Sequence, residues 1–386
     1  MSFTPLPDER WIPVAFGALD ARGIPTLAAE ADVLAVPITP GPALCLVGDG
    51  ATLWRELVDG APHPPREFSP EENVVLEHLR DRGLVVVGRA HPAAVTRLDP
   101  PALSSPLHEL VYALVQHVAA SLGIRCVFVK GPALHHQGLR EREHSGDVDV
   151  WCDPARWDEL AAALAPWGWE REPDPWRGTS VHHTATMTPT SWGCEIDIHR
   201  RFPGLTLDDS EAFEALLGFS TTMRVAGVAV SVPCRDAHAV IFALHTVRPA
   251  VGRPVTEHDH RVAQIILASA GGAIEAARKL GAVPVLRADL SVSFPGIDPG
   301  PDDGAPRDWF HRAQPDLPRA YLVAVRSLPW RERARALRNL AWPPDDIALA
   351  SARRAGEPTE DAGRARRRRL VRGVRSWTPV FRRSRR

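Results

Sequence analysis

The 386-residue chain is predicted to be an α/β (α+β) protein with a mixed sheet, flanking helices and a helical C-terminal half. Three observations predict this class. The apolar run at residues 127–129 is typical of a buried strand. Residues 194–199 alternate strictly between apolar and polar side chains, as in a strand with one polar face. From Asp236 onward, apolar residues instead recur at helical spacing.

Residues 1–100 are predicted to form a small winged-helix-like module. Residues 49–58 carry apolar side chains at helical spacing, and Asp49 is the expected N-cap. Ser69, followed by a proline and two glutamates, predicts the start of a second helix. That helix is expected to end near Gly83 and to be followed by a strand.

The rest of the chain divides by composition. Residues 90–106 are rich in Pro, Ala and Ser and are predicted to be a linker. A core domain is expected over residues 105–235 and a helical domain over residues 236–350. Residues 351–386 lose apolar periodicity, so a tail that is disordered or only partly helical is predicted. Its residues 364–386 carry eleven arginines and no acid, although the whole chain has a net charge of −1.

Composition excludes several classes of protein. No run approaches the ~20 apolar residues of a membrane span. The N-terminus lacks the basic and apolar regions of a signal peptide, so a cytoplasmic protein is predicted. The five cysteines are scattered without a C-x-x-C pair, which predicts free thiols rather than a disulfide framework or a zinc site.

Lysine is rare in this chain. Only Lys130 and Lys279 occur, against forty-four arginines. Lys130 directly precedes Gly131, and a compact ammonium is a point-charge phosphate binder. Chance at one position explains the lysine equally well.

Acidic side chains lie on one face of each of two predicted strands. Asp147 and Asp149 share a face because successive strand residues point to opposite sides. Asp197 and His199 share the polar face of the strand at residues 194–199. Neighbouring carboxylates repel unless a cation lies between them, which predicts a site for a divalent ion such as Mg²⁺. The alternative is that residues 194–199 form a solvent-facing edge strand.

Three short blocks carry a family resemblance. They are Lys130-Gly131-Pro132-Ala133-Leu134, Asp147-Val148-Asp149 and Asp197-Ile198-His199. In this order, and with these predicted elements, the chain resembles the nucleotidyltransferase superfamily that includes DNA polymerase β. Within that superfamily it is similar to a group of uncharacterised nucleotidyltransferases over about residues 105–345. It departs from the pattern at Pro132, and at Glu143 and His144, where an arginine is usual.

The resemblance implies a reaction and residue roles. The chain would transfer a nucleoside monophosphate from an NTP such as ATP to a hydroxyl acceptor. Asp147, Asp149 and Asp197 would be catalytic and would hold Mg²⁺ or Mn²⁺, with Asp197 also accepting the hydroxyl proton. Lys130 and the Gly131 turn would bind phosphate. His199 would orient Asp197 or contact the nucleotide, and a packed structural histidine is the alternative.

A second resemblance lies in the N-terminal module. The stretches ALCLVGDGATLWRELVDG and VVLEHLRDRGLVVV resemble PqqD-like peptide-binding domains, which add a leader peptide to a sheet edge. A leader or precursor peptide is therefore an expected partner, and a peptide-modification pathway is implied. The acceptor could be that peptide. Alternatively, the chain is a peptide-binding adaptor whose transferase fold has lost activity.

The arginine-rich residues 364–386 leave two further partners open. Their charge predicts contact with nucleic acid, as in an RNA-modifying nucleotidyltransferase, or with an anionic membrane through Trp377 and Phe381. The alternative is a solvated terminus that contacts the chain's own acidic part.

Overall fold

The computed structural model describes residues 9–383, except 23, 25–30, 61–63, 65–66, 144–145 and 303. His144 lies outside the described residues, as do the last three residues of the basic tail.

The described residues form twelve strands. They are β1 (Arg10–Pro13), β2 (Ala18–Asp20), β3 (Val33–Ala35), β4 (Leu44–Leu46), β5 (Val85–Gly88), β6 (Cys126–Val129), β7 (Asp147–Cys152), β8 (Trp169–Arg171), β9 (Thr184–Pro189), β10 (Glu195–His199), β11 (Ser220–Val225) and β12 (Val228–Pro233).

The helices dominate the second half of the chain. They are α1 (Gly48–Asp59), α2 (Pro70–Asp81), α3 (Pro106–Ser121), α4 (Gly131–His136), α5 (Trp157–Ala163), α6 (Asp209–Gly218), α7 (Arg235–Thr246), α8 (Glu257–Ala268), α9 (Ala273–Leu280), α10 (Val283–Ser293), α11 (Arg307–Arg312), α12 (Leu317–Ser327), α13 (Trp330–Ala341), α14 (Asp345–Arg354) and α15 (Ala362–Arg383).

The central sheet has five strands in the order β6-β7-β10-β9-β8. β6 and β7 are antiparallel, and their register places Val129 opposite Asp149. Within the described ranges, smaller sheets pair β1 with β5, β11 with β12, and β2-β3-β4 in that order. The mixed sheet, the surrounding helices and the helical C-terminal half confirm the predicted α/β class.

The chain forms two compact units. The first comprises residues 1–170, 187–198 and 220–232, and the second comprises residues 171–186, 199–219 and 233–386. The four predicted segments do not coincide with these units and stay a prediction as domain limits.

Strands β6 and β7 lie in the core of the first unit. All four residues of β6 are buried, and β7 is buried from Val148 onward. Helix α3 contacts β7 and β11 and buries Leu110, Val111 and Leu114 completely. Each such side chain contributes roughly 1.5–3 kcal/mol on burial, so this apolar layer stabilises the packing of α3 against β7.

Helix ends show where local prediction succeeds. The capping box of α2 is confirmed, because Ser69 Oγ accepts from Glu72 N at 3.1 Å and Glu72 Oε2 accepts from Ser69 N at 2.8 Å. The expected N-cap Asp49 is wrong. Helix α1 begins at Gly48, its N-cap is Val47, and Asp49 lies in the first turn. A carboxylate there is still favourable, because the helix dipole stabilises negative charge in the first turn.

The described part of the basic tail forms helix α15. Arg366 pairs with Asp345, and Arg372 pairs with Glu357 at 2.8 Å. Ala365 is fully buried. Arginine ion pairs and a cluster of three buried alanines, Ala348, Ala352 and Ala365, therefore hold α15 against α14.

The structure also bears on the cysteines and on possible membrane spans. All five cysteines are free, and burial raises the pKa of Cys126 to about 12. Among the helices that the structure describes, none has the length and apolar character needed to cross a membrane.

Candidate metal centre

The turn after β6 brings Lys130 over the second aspartate of the D-x-D block. Lys130 and Gly131 both have positive φ, 62° and 52°. Positive φ costs a non-glycine residue roughly 1–2 kcal/mol. The conformation directs Lys130 Nζ to 2.6 Å from Asp149 Oδ1. The Asp149 side chain is 1% exposed, so the ammonium compensates a buried charge.

Gly131 lies directly against Tyr112 of α3. A Cβ added at Gly131 would stand 2.1 Å from the Tyr112 hydroxyl. That hydroxyl is buried and has no hydrogen-bond partner among the described residues. Burial, followed by the charge of Asp149, raises the pKa of Tyr112 well above its ordinary value. Glycine is therefore required here both by φ and by the close approach of the tyrosine.

Asp149, Asp197 and His199 form a compact group. Their ligand atoms all lie within 4.8 Å of one another, which is close enough to hold one metal ion. The group arises because β7 and β10 are neighbours in the sheet and because Asp197 and His199 alternate onto one face. Asp149 and His199 are buried, and Asp197 is half-buried.

Thr184 of β9 holds the His199 ring. Its Oγ1 lies 2.9 Å from His199 Nδ1. If Nδ1 carries the proton and donates it to this hydroxyl, Nε2 carries the lone pair that a metal requires. A threonine on a separate strand gives no sequence signal for this contact.

Among the described residues, the metal-binding group does not include the other two acidic residues of β7 and β10. Asp147 is the first residue of β7 and is half-buried. Among the residues described, the group that meets the metal-binding distance contains His199 in its place. Glu195 lies on the same strand as Asp197 but is exposed. The predicted set of three carboxylates is therefore brought together in part.

Arg140 and Glu143 lie in the segment between α4 and β7. Arg140 donates to Gly131 O at 3.0 Å and to Arg142 O at 3.0 Å, so it lies beside the glycine turn. Burial, and then Arg142, lowers the pKa of Arg140. Glu143 instead accepts from Ser104 Oγ at 2.6 Å and from Ser104 N at 3.0 Å. Arg140 therefore supplies a positive charge near the turn despite its early position in sequence.

Sequence reasoning missed Tyr112. Its helical spacing marks it as a core residue, and it differs from other core residues only in being one of two tyrosines in the chain. The close contact with Gly131 joins residues nineteen positions apart. Only the packing of α3 against the sheet reveals it.

The donor set fits a divalent cation. Two carboxylates are hard oxygen ligands that suit Mg²⁺ and Mn²⁺, and an imidazole shifts the preference toward Mn²⁺ or another transition metal. Lys130 already balances part of the charge of Asp149, so a bound ion and the ammonium would share this carboxylate.

Two solved structures are similar to part of this chain. A lincosamide antibiotic adenylyltransferase, LnuA, solved with lincomycin bound, is 16% identical, with a TM-score of 0.27, and the match covers 41% of this chain and 94% of that chain. An antigenic nucleotidyltransferase-like protein from Paracoccidioides brasiliensis is 19% identical, with a TM-score of 0.32 and coverages of 50% and 94%. No family model matches the sequence, and no curated protein matches it either. These values are too low to identify a family.

Proposed function

We propose that the protein is a metal-dependent nucleotidyltransferase that moves a nucleoside monophosphate from an NTP to a hydroxyl acceptor. The observation that carries this proposal is the group of Asp149, Asp197 and His199, which stands on two adjacent strands of one sheet. The Lys130–Gly131 turn leads directly from β6, the other neighbour of β7. Carboxylates for a cation and a cationic glycine turn for phosphate are the two requirements of this chemistry.

Each residue has a role in this proposal. Asp149, Asp197 and His199 hold the cation, and Asp147 extends the acidic face toward the nucleotide. The cation, Mg²⁺ or Mn²⁺, supplies positive charge that stabilises the triphosphate and the leaving pyrophosphate. Asp197 accepts the proton of the attacking hydroxyl. Lys130 and the backbone of the Gly131 turn bind phosphate oxygens.

The acceptor in the finer form of the proposal is a leader or precursor peptide. Strand β4 is an edge strand of the sheet β2-β3-β4 in the described part of the chain, and it is followed directly by α1. An exposed sheet edge beside a helix is the geometry by which extended peptides add as a strand. Isothermal titration of the full chain with a candidate peptide tests this step separately from nucleotide transfer.

The principal test measures pyrophosphate release from each NTP with Mg²⁺ or Mn²⁺ and a panel of hydroxyl acceptors. Asp149→Asn and Asp197→Asn are expected to lower the rate at least about a hundredfold, because each removes a ligand charge. Glu195→Gln is the matched control, since it neutralises an exposed acid on the same strand and should leave the rate unchanged.

A metal-binding readout makes the test independent of the acceptor. Titration with Mn²⁺ should show one site in the wild type and in Glu195→Gln, and weakened binding in Asp149→Asn and His199→Ala. Equal Mn²⁺ binding in all four proteins would refute the metal centre. Peptide binding without NTP turnover would instead favour the adaptor, and transfer to RNA alone would replace the peptide as acceptor.

A further inference from the structure

Helix α13 presents a line of apolar side chains to solvent. This apolar line consists of Trp330, Ala334, Leu337 and Ala341, which recur at helical spacing and are all exposed. The exposed fractions of Trp330 and Leu337 are 73% and 51%. A helix on a protein surface normally carries polar side chains on its solvent side, so an apolar line there indicates a surface for a partner.

The opposite side of α13 holds the helix against its own unit. Ala336 is fully buried, and Asn339 Nδ2 donates to Pro175 O at 3.2 Å. Glu332 Oε2 accepts from Ser180 N at 2.6 Å. These three positions of α13 lie about half a helical turn away from the apolar line. Packing and hydrogen bonds therefore fix which side of α13 faces solvent.

Arg333 fixes the first turn of α13, which carries Trp330. Its Nε donates to Val325 O at 3.2 Å, and its Nη2 donates to Arg326 O at 2.8 Å and to Leu328 O at 3.1 Å. These carbonyls lie at the end of α12, where the last turn of a helix leaves its acceptors without intrahelical donors. The guanidinium therefore binds neutral oxygens rather than a carboxylate and keeps its positive charge.

Arginines flank the apolar line on both sides. Helical geometry places Arg331 and Arg338 on one side and Arg333 on the other. The Arg331 Cζ lies 5.2 Å from the centroid of the Trp330 ring, so its guanidinium stands beside the line. Within the part of the chain that the structure describes, neither Arg331 nor Arg338 forms an ion pair. Three positive charges without a carboxylate partner therefore border the apolar line.

The acidic residues of α13 and of the first turn of α14 already have partners. Glu332, the one acid of α13, lies on the inward side of the helix. Asp345 pairs with Arg366, and Asp346 Oδ2 lies 4.0 Å from Arg177 Nη1. The charge that α13 itself presents beside the apolar line is therefore positive.

We propose that the apolar line of α13 and its three flanking arginines bind the surface of an anionic lipid bilayer. Apolar side chains of such a helix enter the boundary between headgroups and acyl chains, and arginines beside them are attracted to anionic headgroups. Tryptophan is enriched at this boundary. A leucine and two alanines offer no aromatic platform on which bases stack, so this face suits a membrane surface better than a nucleic acid.

The test is co-sedimentation of the full chain with vesicles of phosphatidylserine and phosphatidylcholine, and with vesicles of phosphatidylcholine alone. The anionic vesicles are expected to bind at least about tenfold more tightly, and added salt should weaken this binding. The experiment is done in EDTA without NTP, so its failure is distinct from a failure of the proposed nucleotidyl transfer. Equal binding to both kinds of vesicle, or binding of single-stranded RNA in place of the vesicles, overturns the proposal.

Uncharged substitutions test the apolar contact. Trp330→Gln and Leu337→Gln should each weaken binding to phosphatidylserine vesicles at least about fivefold, because each removes apolar area that leaves water on binding. Ile265→Gln is the matched control, since Ile265 is 70% exposed and lies on α8. All three positions are exposed, so the variants should fold as the wild type does. Unchanged binding in either α13 variant, or an equal loss in Ile265→Gln, contradicts the proposed face.

A pair of charge variants tests the electrostatic contact. Arg331→Gln/Arg338→Gln should weaken binding to the anionic vesicles at least about tenfold, because each arginine near an anionic surface contributes roughly fivefold. Arg261→Gln/Arg319→Gln removes the same charge from exposed positions of α8 and α12 and should change binding less than about twofold. Equal losses in the two double variants would show attraction by net charge alone and would overturn the assignment to α13.

Discussion

At the scale of single residues, the candidate centre combines backbone strain with buried charge. Lys130 adopts a positive φ that glycine would adopt without cost. This conformation places its ammonium beside the Asp149 carboxylate. Removing one partner of a buried ion pair typically costs about 3–5 kcal/mol, which exceeds the strain of roughly 1–2 kcal/mol. The ion pair therefore explains why a lysine is tolerated at this backbone position.

Removing the Tyr112 hydroxyl is expected to stabilise the folded protein and to weaken NTP binding. Tyr112→Phe is expected to raise the free energy of unfolding by about 1 kcal/mol, because it removes a buried polar atom without a hydrogen-bond partner. The same change should weaken NTP binding about tenfold, since the hydroxyl lies against the Gly131 turn that is proposed to bind phosphate. Urea unfolding and NTP titration measure the two effects.

The control for this prediction is the other tyrosine of the chain. Tyr321→Phe lies outside the candidate metal centre and should leave NTP affinity unchanged. A loss of stability in Tyr112→Phe, or unchanged NTP binding, would contradict the proposed contact.

At the scale of elements, strand pairing decides which side chains can share an ion. β10 lies next to β7 in the central sheet, so Asp197 and His199 approach Asp149 rather than Asp147. The alternation of β10 by itself places Asp197 and His199 on one face but does not select their neighbour. The strand order therefore explains why His199 joins Asp149 and Asp197 in the candidate metal centre.

The capping box of α2 gives an element-scale prediction. Ser69→Ala is expected to lower the free energy of unfolding by about 1 kcal/mol, because Glu72 N loses its acceptor at the helix start. Ser210→Ala, at an exposed position in the first turn of α6, is the matched control and should change stability by less than about 0.5 kcal/mol. Equal effects of the two variants in urea unfolding would show that the cap contributes nothing specific.

At the scale of the whole molecule, one buried carboxyl links stability to pH. Glu109 of α3 is 1% exposed, and its Oε1 accepts from Leu103 N at 2.6 Å. Burial raises its pKa from 4.5 to about 7. Between these values the folded chain retains a proton that the unfolded chain releases. The free energy of unfolding contributed by this group therefore falls as pH rises through the window, and it is constant above it.

Glu109→Gln is expected to flatten this part of the stability curve. The variant should gain stability relative to the wild type as pH rises from about 4.5 to about 7, because it has no proton to lose. Urea unfolding at several pH values measures the difference. Glu56→Gln at an exposed position of α1 is the control. A constant difference between Glu109→Gln and the wild type across this window would exclude the linkage.

The sequence by itself determined the local features of this protein. Alternation at residues 194–199 placed Asp197 and His199 on one face, the D-x-D block placed Asp147 and Asp149 on another, and the residues after Ser69 specified a capped helix. These features depend on contacts within a few positions, so a periodicity of 2 or 3.6 residues is enough to predict them.

Only the tertiary structure decided which of these features meet. It brought Asp149 to Asp197 and His199 and set the Tyr112 hydroxyl against Gly131. It also ordered the described part of the basic tail as α15 through Asp345 and Glu357. The physical reason is that strand order and helix packing join positions far apart in the chain. Periodicity fixes the face on which a side chain lies, but the neighbour across that face is chosen by the packing of the whole core.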